Sequence, residues 1–234
     1  GVPNVSLSFS SVGTPILTDE NGTFFTSVSS TWSGTITASK AGHQFSPDTL
    51  SISSETAETI QLTFLASRSQ ILYVDATATG NGDGSSWANA YPELSTALQS
   101  MHPFTEVWVA SGTYKPGVFQ SDFFLLPPNV SIYGGFSGLE SSRTERNSTT
   151  NQTILSGDIG NINDGSDNTF HVVVPSNESH LEGFIIQDGN ASENYSDSRG
   201  KGGGLYANGI NFSVSECIFQ VNRARQEGGA AYLL

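Results

Sequence analysis

Apolar residues alternate with serine and threonine through much of the first quarter of the chain. The runs VSLSF at 5–9, GTFFT at 22–26, GTITA at 34–38, TLSI at 49–52 and IQLTF at 60–64 share a period near two. That period places apolar side chains on one face of a half-buried strand. Turn-forming clusters, DENGT at 19–23 and KAGHQFSP at 40–47, separate the runs. Residues 1–66 therefore read as a small β-sandwich. The pattern shifts across 66–70. A strand is expected at 71–75, then an acidic, glycine-rich loop, then an amphipathic helix carried by Leu94, Ala97, Leu98 and Met101. Short strands follow at 106–110, 123–126, 130–133, 152–155, 170–174, 181–187, 203–206, 212–214, 217–221 and 229–234, with turns at Gly or Asn. Recurrence of strand and turn beneath a single helix predicts a parallel β-helix over 71–234. The fold class expected is all-β: a small β-sandwich plus a short right-handed parallel β-helix with one N-terminal capping helix.

Two resemblances bear on this reading. The stretch GVPNVSLSF…TDENGTFFTSV…WSGTITASKAGHQFSPDTLSIS resembles the carboxypeptidase-regulatory-like, transthyretin-like sandwich that repeats in secreted bacterial proteins; it covers 1–66. In that family a strand usually precedes the GVPNVSL position. The resemblance thus implies a sandwich lacking its first strand, with an edge open to an upstream segment or another chain. Over 71–234, FQVN at 219–222 with GGAAY at 228–232 and GGGLY at 202–206 resemble the repeats of polymorphic outer-membrane-protein-like β-helices. The opening YVDATATGNGDGSSWANAYPELSTAL is similar to the start of secreted, pectin-lyase-like β-helix proteins. Such coils imply Cys217 and Phe219 pointing inward, Asn222 stacked at a corner, and a last coil left uncapped at the C-terminal end. The fold hosts lyases, hydrolases, adhesins and inert stalks, so it does not choose among them.

Composition narrows the choice. The chain has 234 residues, 36% hydrophobic and only 13% charged, with 56 Ser and Thr. Net charge is −13, which excludes the basic footprint of a nucleic-acid binder. No run approaches the 18 apolar residues of a membrane span. The lone cysteine, Cys217, makes no internal disulfide and reads as a small buried hydrophobe.

Asparagines carry the strongest motif. Nine of sixteen head an Asn-x-Ser/Thr triplet: Asn4, Asn21, Asn129, Asn147, Asn151, Asn177, Asn190, Asn194 and Asn211. Chance pairing with this much Ser and Thr predicts about four. Multiple covalent N-glycans are expected, mostly on turns. Oxygen-rich loops also suit Ca²⁺: Asp158, Asn163, Asp164 and Asp167 in one, Asp75, Asn81 and Asp83 in another. Neither has EF-hand spacing, and Asx turns account for both. No other cofactor is expected. Glu182, Asp188, Arg223 and Arg225 read as isolated solvated charges. The four histidines lack metal-ligand or triad spacing, and the three tryptophans read as packing residues. With no constellation for catalysis, the chain is expected to be a non-enzymatic, secreted, N-glycosylated structural subunit of an extracellular fibre or surface layer. It would assemble head-to-tail with copies of itself by strand or coil complementation. The alternatives are a segment of a large cell-surface adhesin or autotransporter-like passenger, and a carbohydrate-active enzyme or carbohydrate-binding module.

Overall fold

The computed structural model describes residues 1–10, 13–40, 43–53, 60–68, 70–100, 105–162, 164–192 and 198–234. The chain is mostly strand with very little helix, an all-β protein. It forms two compact units, Gly1–Ser69 and Gln70–Leu234.

The first unit contains β1 (Ser6–Phe9), β2 (Ile16–Leu17), β3 (Gly34–Ser39), β4 (His43–Ser46), β5 (Thr49–Ile52) and β6 (Leu65–Arg68). Four of them form an antiparallel sheet in the order β2-β1-β3-β5, and β4 pairs antiparallel with β6. Alternation does its work in β1 and β3. Leu7, Phe9, Ile36 and Ala38 are buried, while Ser8, Thr37 and Ser39 face solvent. Strand β4 lies inside the stretch expected to be a turn, because Phe45 joins the core. The expected strands at 22–26 and 60–64 are absent as ladders. Their side chains nevertheless alternate: Phe24, Leu62 and Phe64 are half-buried against the core, and Phe25 and Ile60 are exposed.

The second unit is laid down in successive passes. Strand β7 (Gln70–Val74) precedes α1 (Leu94–Gln99), whose Leu94, Ala97 and Leu98 are buried as their spacing predicts; Met101 lies outside the described residues. The first pass contributes β8 (Thr105–Ala110), β9 (Gly112–Tyr114) and β10 (Phe124–Leu125). The second contributes β11 (Ser131–Phe136), β12 (Thr153–Ser156) and β13 (Val173–Val174). The third contributes β14 (His180–Glu182), β15 (Phe184–Gln187), β16 (Asn190–Ala191) and β17 (Leu205–Ala207). The fourth contributes β18 (Ser213–Ser215), β19 (Ile218–Gln220), β20 (Arg223–Ala224) and β21 (Ala231–Leu233). Corresponding strands pair in parallel sheets: β7-β8-β11-β14-β18, β9-β12-β15-β19, β10-β13-β17-β21 and β16-β20.

Parallel register puts like residues above one another. One column runs Leu72, Val107, Ile132, Leu181, Val214; a second runs Tyr114, Leu155, Ile186, Phe219; a third runs Phe124, Val173, Leu205, Ala231. Each column is buried until its last member, which is half-buried. The single run expected at 181–187 is two strands. Gly183 turns between them at φ +82, where an added Cβ would lie 2.7 Å from an Arg146 guanidinium nitrogen. Glu216, at φ +51, makes the same break one pass later.

Val221 holds φ +55 while 65% exposed. A β-branched residue is strained in that region and gains no packing there to offset it. Val221→Asn is expected to stabilise the second unit by about 1 kcal/mol, which a thermal melt reads as a rise of about 2–4 °C. An unchanged or lower Tm would show that the valine side chain has a packing role instead.

Candidate functional site

Unsatisfied apolar surface is the first candidate. In the first unit an open groove of about 1050 Å³ lies over the buried face of β1 and β3. Leu7, Phe9 and Ile36 form its floor, and the strand-like but unladdered segments carrying Phe24, Leu62 and Phe64 form its walls. Phe25 lines it while 86% exposed. Extended backbone with alternating apolar side chains, but without ladder bonds, is what a sheet presents where a strand is wanting.

The second candidate is the fourth pass. Phe212, Val214, Cys217 and Phe219 pack on the core yet stay only half-buried, and Ile218, Leu233 and Leu234 are exposed. Cys217 and Phe219 face the core side, in line with the sequence reading. Burial pushes the Cys217 thiol above its ordinary value, leaving little thiolate for reaction. Asn222 spans neighbouring passes. Its Oδ1 accepts from the Gly189 amide at 3.0 Å and its Nδ2 donates to the Ile186 carbonyl at 2.8 Å.

A charged network occupies the outward face of β11, β14 and β18. Register brings Tyr133, Glu182 and Ser215 into one row, and Ser131, His180 and Ser213 into the next. Arg146, from the loop before β12, pairs with Glu182 and lies 3.5 Å from Glu216. His180 Nε2 is 2.8 Å from Glu182 Oε2, and its Nδ1 is 2.7 Å from Ser213 Oγ. Ser215 Oγ donates to Glu182 at 3.1 Å. Arg143 stacks over Tyr133 at 4.4 Å and pairs with Glu106 at 2.9 Å. Glu182 is thus no isolated charge; sequence spacing could not reveal partners drawn from three passes. Each carboxylate here is matched by a cation or hydroxyl, so the network consumes its own charge. The tryptophans pack as expected: Trp108 stacks on Phe136 at 4.8 Å and Trp87 meets Tyr73 at 4.8 Å.

The sequons divide by environment. Asn4, Asn21, Asn147, Asn177 and Asn211 are exposed; Asn129, Asn151 and Asn190 are half-buried; Asn194 lies outside the described residues. Asn129, Asn177 and Asn211 stand at one corner on three successive passes, each just ahead of a strand of the same sheet. The Asn129 amide donates to the Asn177 carbonyl at 3.3 Å, and the Asn211 amide to Asn177 Oδ1 at 2.9 Å. The acceptor nitrogens differ in availability. Asn151 Nδ2 donates to the Gly135 carbonyl at 3.3 Å, Asn211 Nδ2 to Glu178 at 2.9 Å, and Asn190 Nδ2 to the Gly165 carbonyl.

Among the acidic loops, Asp83 Oδ1 accepts from the Ser85 amide and Asp75 Oδ1 from the Thr77 amide, both Asx turns. Asp164 Oδ1 likewise accepts from Ser166 and is exposed. Asp167 Oδ2 accepts from the Asn161 amide at 2.7 Å, Asp158 sits where the same loop begins, and Asn163 lies outside the described residues. Among the described residues no three His, Cys, Asp or Glu side chains converge as a metal-binding group. No described helix is long and apolar enough to cross a membrane. Comparison with protein-family models, curated proteins and solved structures gives no match.

Burial alone would push the Glu182 carboxyl upward, but the His180 hydrogen bond, the Arg146 charge and Ser215 outweigh it and hold it below its ordinary value. A depressed carboxyl contributes stability that is present above its unfolded value, about 4.3, and is lost as pH falls through the folded one. Melts of the wild type should therefore lose stability below about pH 4.3. Glu182→Gln should shrink the difference between neutral and acid melts; an undiminished acid limb would place the titration elsewhere.

Proposed function

We propose that this chain is a non-enzymatic, secreted, N-glycosylated structural subunit of an extracellular fibre or surface layer. In this reading the first unit is a β-sandwich short of one strand. The second is a short parallel β-helix, right-handed as parallel crossovers almost always are, and open at its fourth pass. The observation that carries the reading is the apolar groove between Phe24 and the Leu62–Phe64 segment, roofed by no strand among the described residues. The occupant is an edge strand of a second copy of this chain. Support comes from the same molecule offering both halves of a contact: an apolar groove lined by Phe24, Phe25, Leu62 and Phe64, and half-covered apolar residues, Val214 and Phe219 among them, on the fourth pass. Two different surfaces meeting head-to-tail need not close, and contacts that do not close make filaments.

Charge sets the conditions. Copies carrying −13 repel one another, so the contact must be apolar and should tighten as salt screens the repulsion. The exposed sequons suit glycans that keep the outer faces hydrated. A second reading, a segment of a larger surface adhesin or passenger, draws on the recurrence of PNVSIYGGF, SNESHLEGF and NFSVSECIF at equivalent places on three passes, since such repeats extend readily. An enzymatic reading finds little support, because the Arg146–Glu182–His180 network is internally neutralised.

Light scattering after size exclusion, with electron microscopy, tests the proposal. Mass should rise with protein concentration and with salt. Phe25→Asp changes an exposed groove residue without touching the core, and should weaken association at least about tenfold. Monodisperse monomers at every concentration and salt level would overturn self-assembly. Separately, intact mass before and after enzymatic removal of N-glycans should differ by several chains, and Asn190 should stay bare; an unchanged mass would refute the glycoprotein part.

A further inference from the structure

Buried polar atoms in a folded protein are almost always hydrogen-bonded, and a group of exceptions in one place asks for a partner. The loop from Gly157 to Thr169 holds such a group. It closes on itself: the Thr169 amide donates to the Gly157 carbonyl at 3.0 Å. The next pass is tied to it, since the Asn190 amide donates to the Thr169 carbonyl at 2.7 Å, Asn190 Nδ2 to the Gly165 carbonyl, and Asn168 Nδ2 to the Asp188 carbonyl at 2.7 Å. Within this closure Asp167 Oδ1, Asn168 Oδ1, Thr169 Oγ1 and Asn190 Oδ1 are buried and have no hydrogen-bond partner among the described residues. Asn168 is 7% exposed and Thr169 is 0% exposed. Both amide side chains spend their nitrogens on carbonyls, which leaves their buried oxygens to be satisfied by something else. At Gly157 an added Cβ would lie 2.7 Å from Thr169 Oγ1 and 2.6 Å from the Asp188 carbonyl, so only glycine lets these oxygens approach.

The geometry points to a binding site for one divalent cation, Ca²⁺, held by Asp167, Asn168, Thr169 and Asn190. Every orphaned atom is an oxygen, the Asn168 and Asn190 amide nitrogens already donate to carbonyls, and the Thr169 hydroxyl can turn its proton away and accept, which suits a hard cation better than an anion. Neutral amide, hydroxyl and carbonyl oxygens beside few carboxylates suit Ca²⁺, which takes six to eight oxygens in flexible geometry. They suit zinc poorly, because zinc wants nitrogen and sulfur. Mg²⁺ demands a tighter octahedron and retains its water. The donor set differs from the one read along the sequence: Asp164 turns out to solvent to cap Ser166, and Asn168, Thr169 and Asn190 take its place. With so little formal charge, the affinity belongs in the extracellular range, Kd about 10⁻⁴–10⁻³ M. The site ties the third pass to the second where the loop after β12 leaves the sheets.

Calorimetric titration of the chelator-treated, full-length protein with CaCl₂ should show one saturable site. At ten times Kd the Tm should rise by about 3–6 °C and fall back with chelator; equimolar Mg²⁺ should give less than half that rise. Asp167→Asn keeps an oxygen to accept from the Asn161 amide but removes charge, and should weaken binding about tenfold or more with the chelated Tm unchanged. Asp164→Asn should leave binding as in the wild type. Absence of saturable heat with no Tm change to about 10 mM Ca²⁺ would overturn the proposal and assign these oxygens to water. Equal weakening by both variants would overturn it in favour of diffuse loop charge.

Discussion

Everything in the larger unit depends on parallel register. Hydrogen bonding between passes fixes each strand directly over its predecessor, so an inward residue meets the inward residue of the pass before. The column Val107, Ile132, Leu181 is fully excluded from water for this reason, and each of its side chains is covered from both sides. A column has no natural end. Its last member, Val214, is half-buried because only one neighbour touches it, and Phe219 and Ala231 share that state. The half-burial of apolar residues in the fourth pass follows from the same constraint that buries those of the first three. At the other end α1 lays Leu94, Ala97 and Leu98 against the core and supplies the missing neighbour.

The smaller unit meets a related constraint in antiparallel form. Two alternating segments stay extended and half-buried without ladder bonds, since the alternation commits their apolar faces to the core while no strand stands between them. Hydrophobic burial can hold a segment near a sheet; only backbone pairing makes it a strand. Both units therefore present half-covered apolar surface, at Phe24, Leu62 and Phe64 in the first and at Val214 and Phe219 in the second, while the described charges around Glu182 are partnered with one another.

Much of the fold was legible because period two survives in β1, β3, β7, β14, β17 and β19, because the longer strands β8 and β11 are short apolar runs bounded by turns, and because the helix carries its apolar residues at spacings of three and four. Three features were not legible. Strand β4 hid in a turn-like stretch, since His43 to Ser46 has only Phe45 to mark it. The break at Gly183 was invisible because Leu181 and the apolar run 184–186 on either side both read as strand, while the strands they belong to lie in different sheets. Glu182 appeared isolated because Arg146 and Ser215 reach it from the passes before and after, and distance along the chain carries no information about that convergence; His180, two residues away on the same strand, was the one partner within local reach. The tryptophan assignments were legible for a different reason: large apolar rings pack wherever the core is, and Trp87 and Trp108 meet Tyr73 and Phe136 although these come from other strands.

Register also reinterprets the asparagine excess. The estimate of about four sequons by chance treats each asparagine as independent, but Asn129, Asn177 and Asn211 are one corner repeated on three passes. Asn129 takes φ +58 there, a conformation asparagine tolerates better than most residues; after Asn129 and Asn211 the serine two places on, Ser131 or Ser213, opens the next strand, whereas Ser179, after Asn177, is buried ahead of its strand and donates to the Ser176 carbonyl. Architecture thus accounts for two of the nine triplets, those at Asn129 and Asn211. The same corner geometry leaves Asn177 and Asn211 exposed and stacks their turns one over another, so a repeat required for folding also arrays potential acceptors in a line. Folding and decoration draw on the same residues at this corner, and Asn190 shows the limit of that economy: its amide is committed to the Gly165 carbonyl, so the demands of the loop take precedence over the motif.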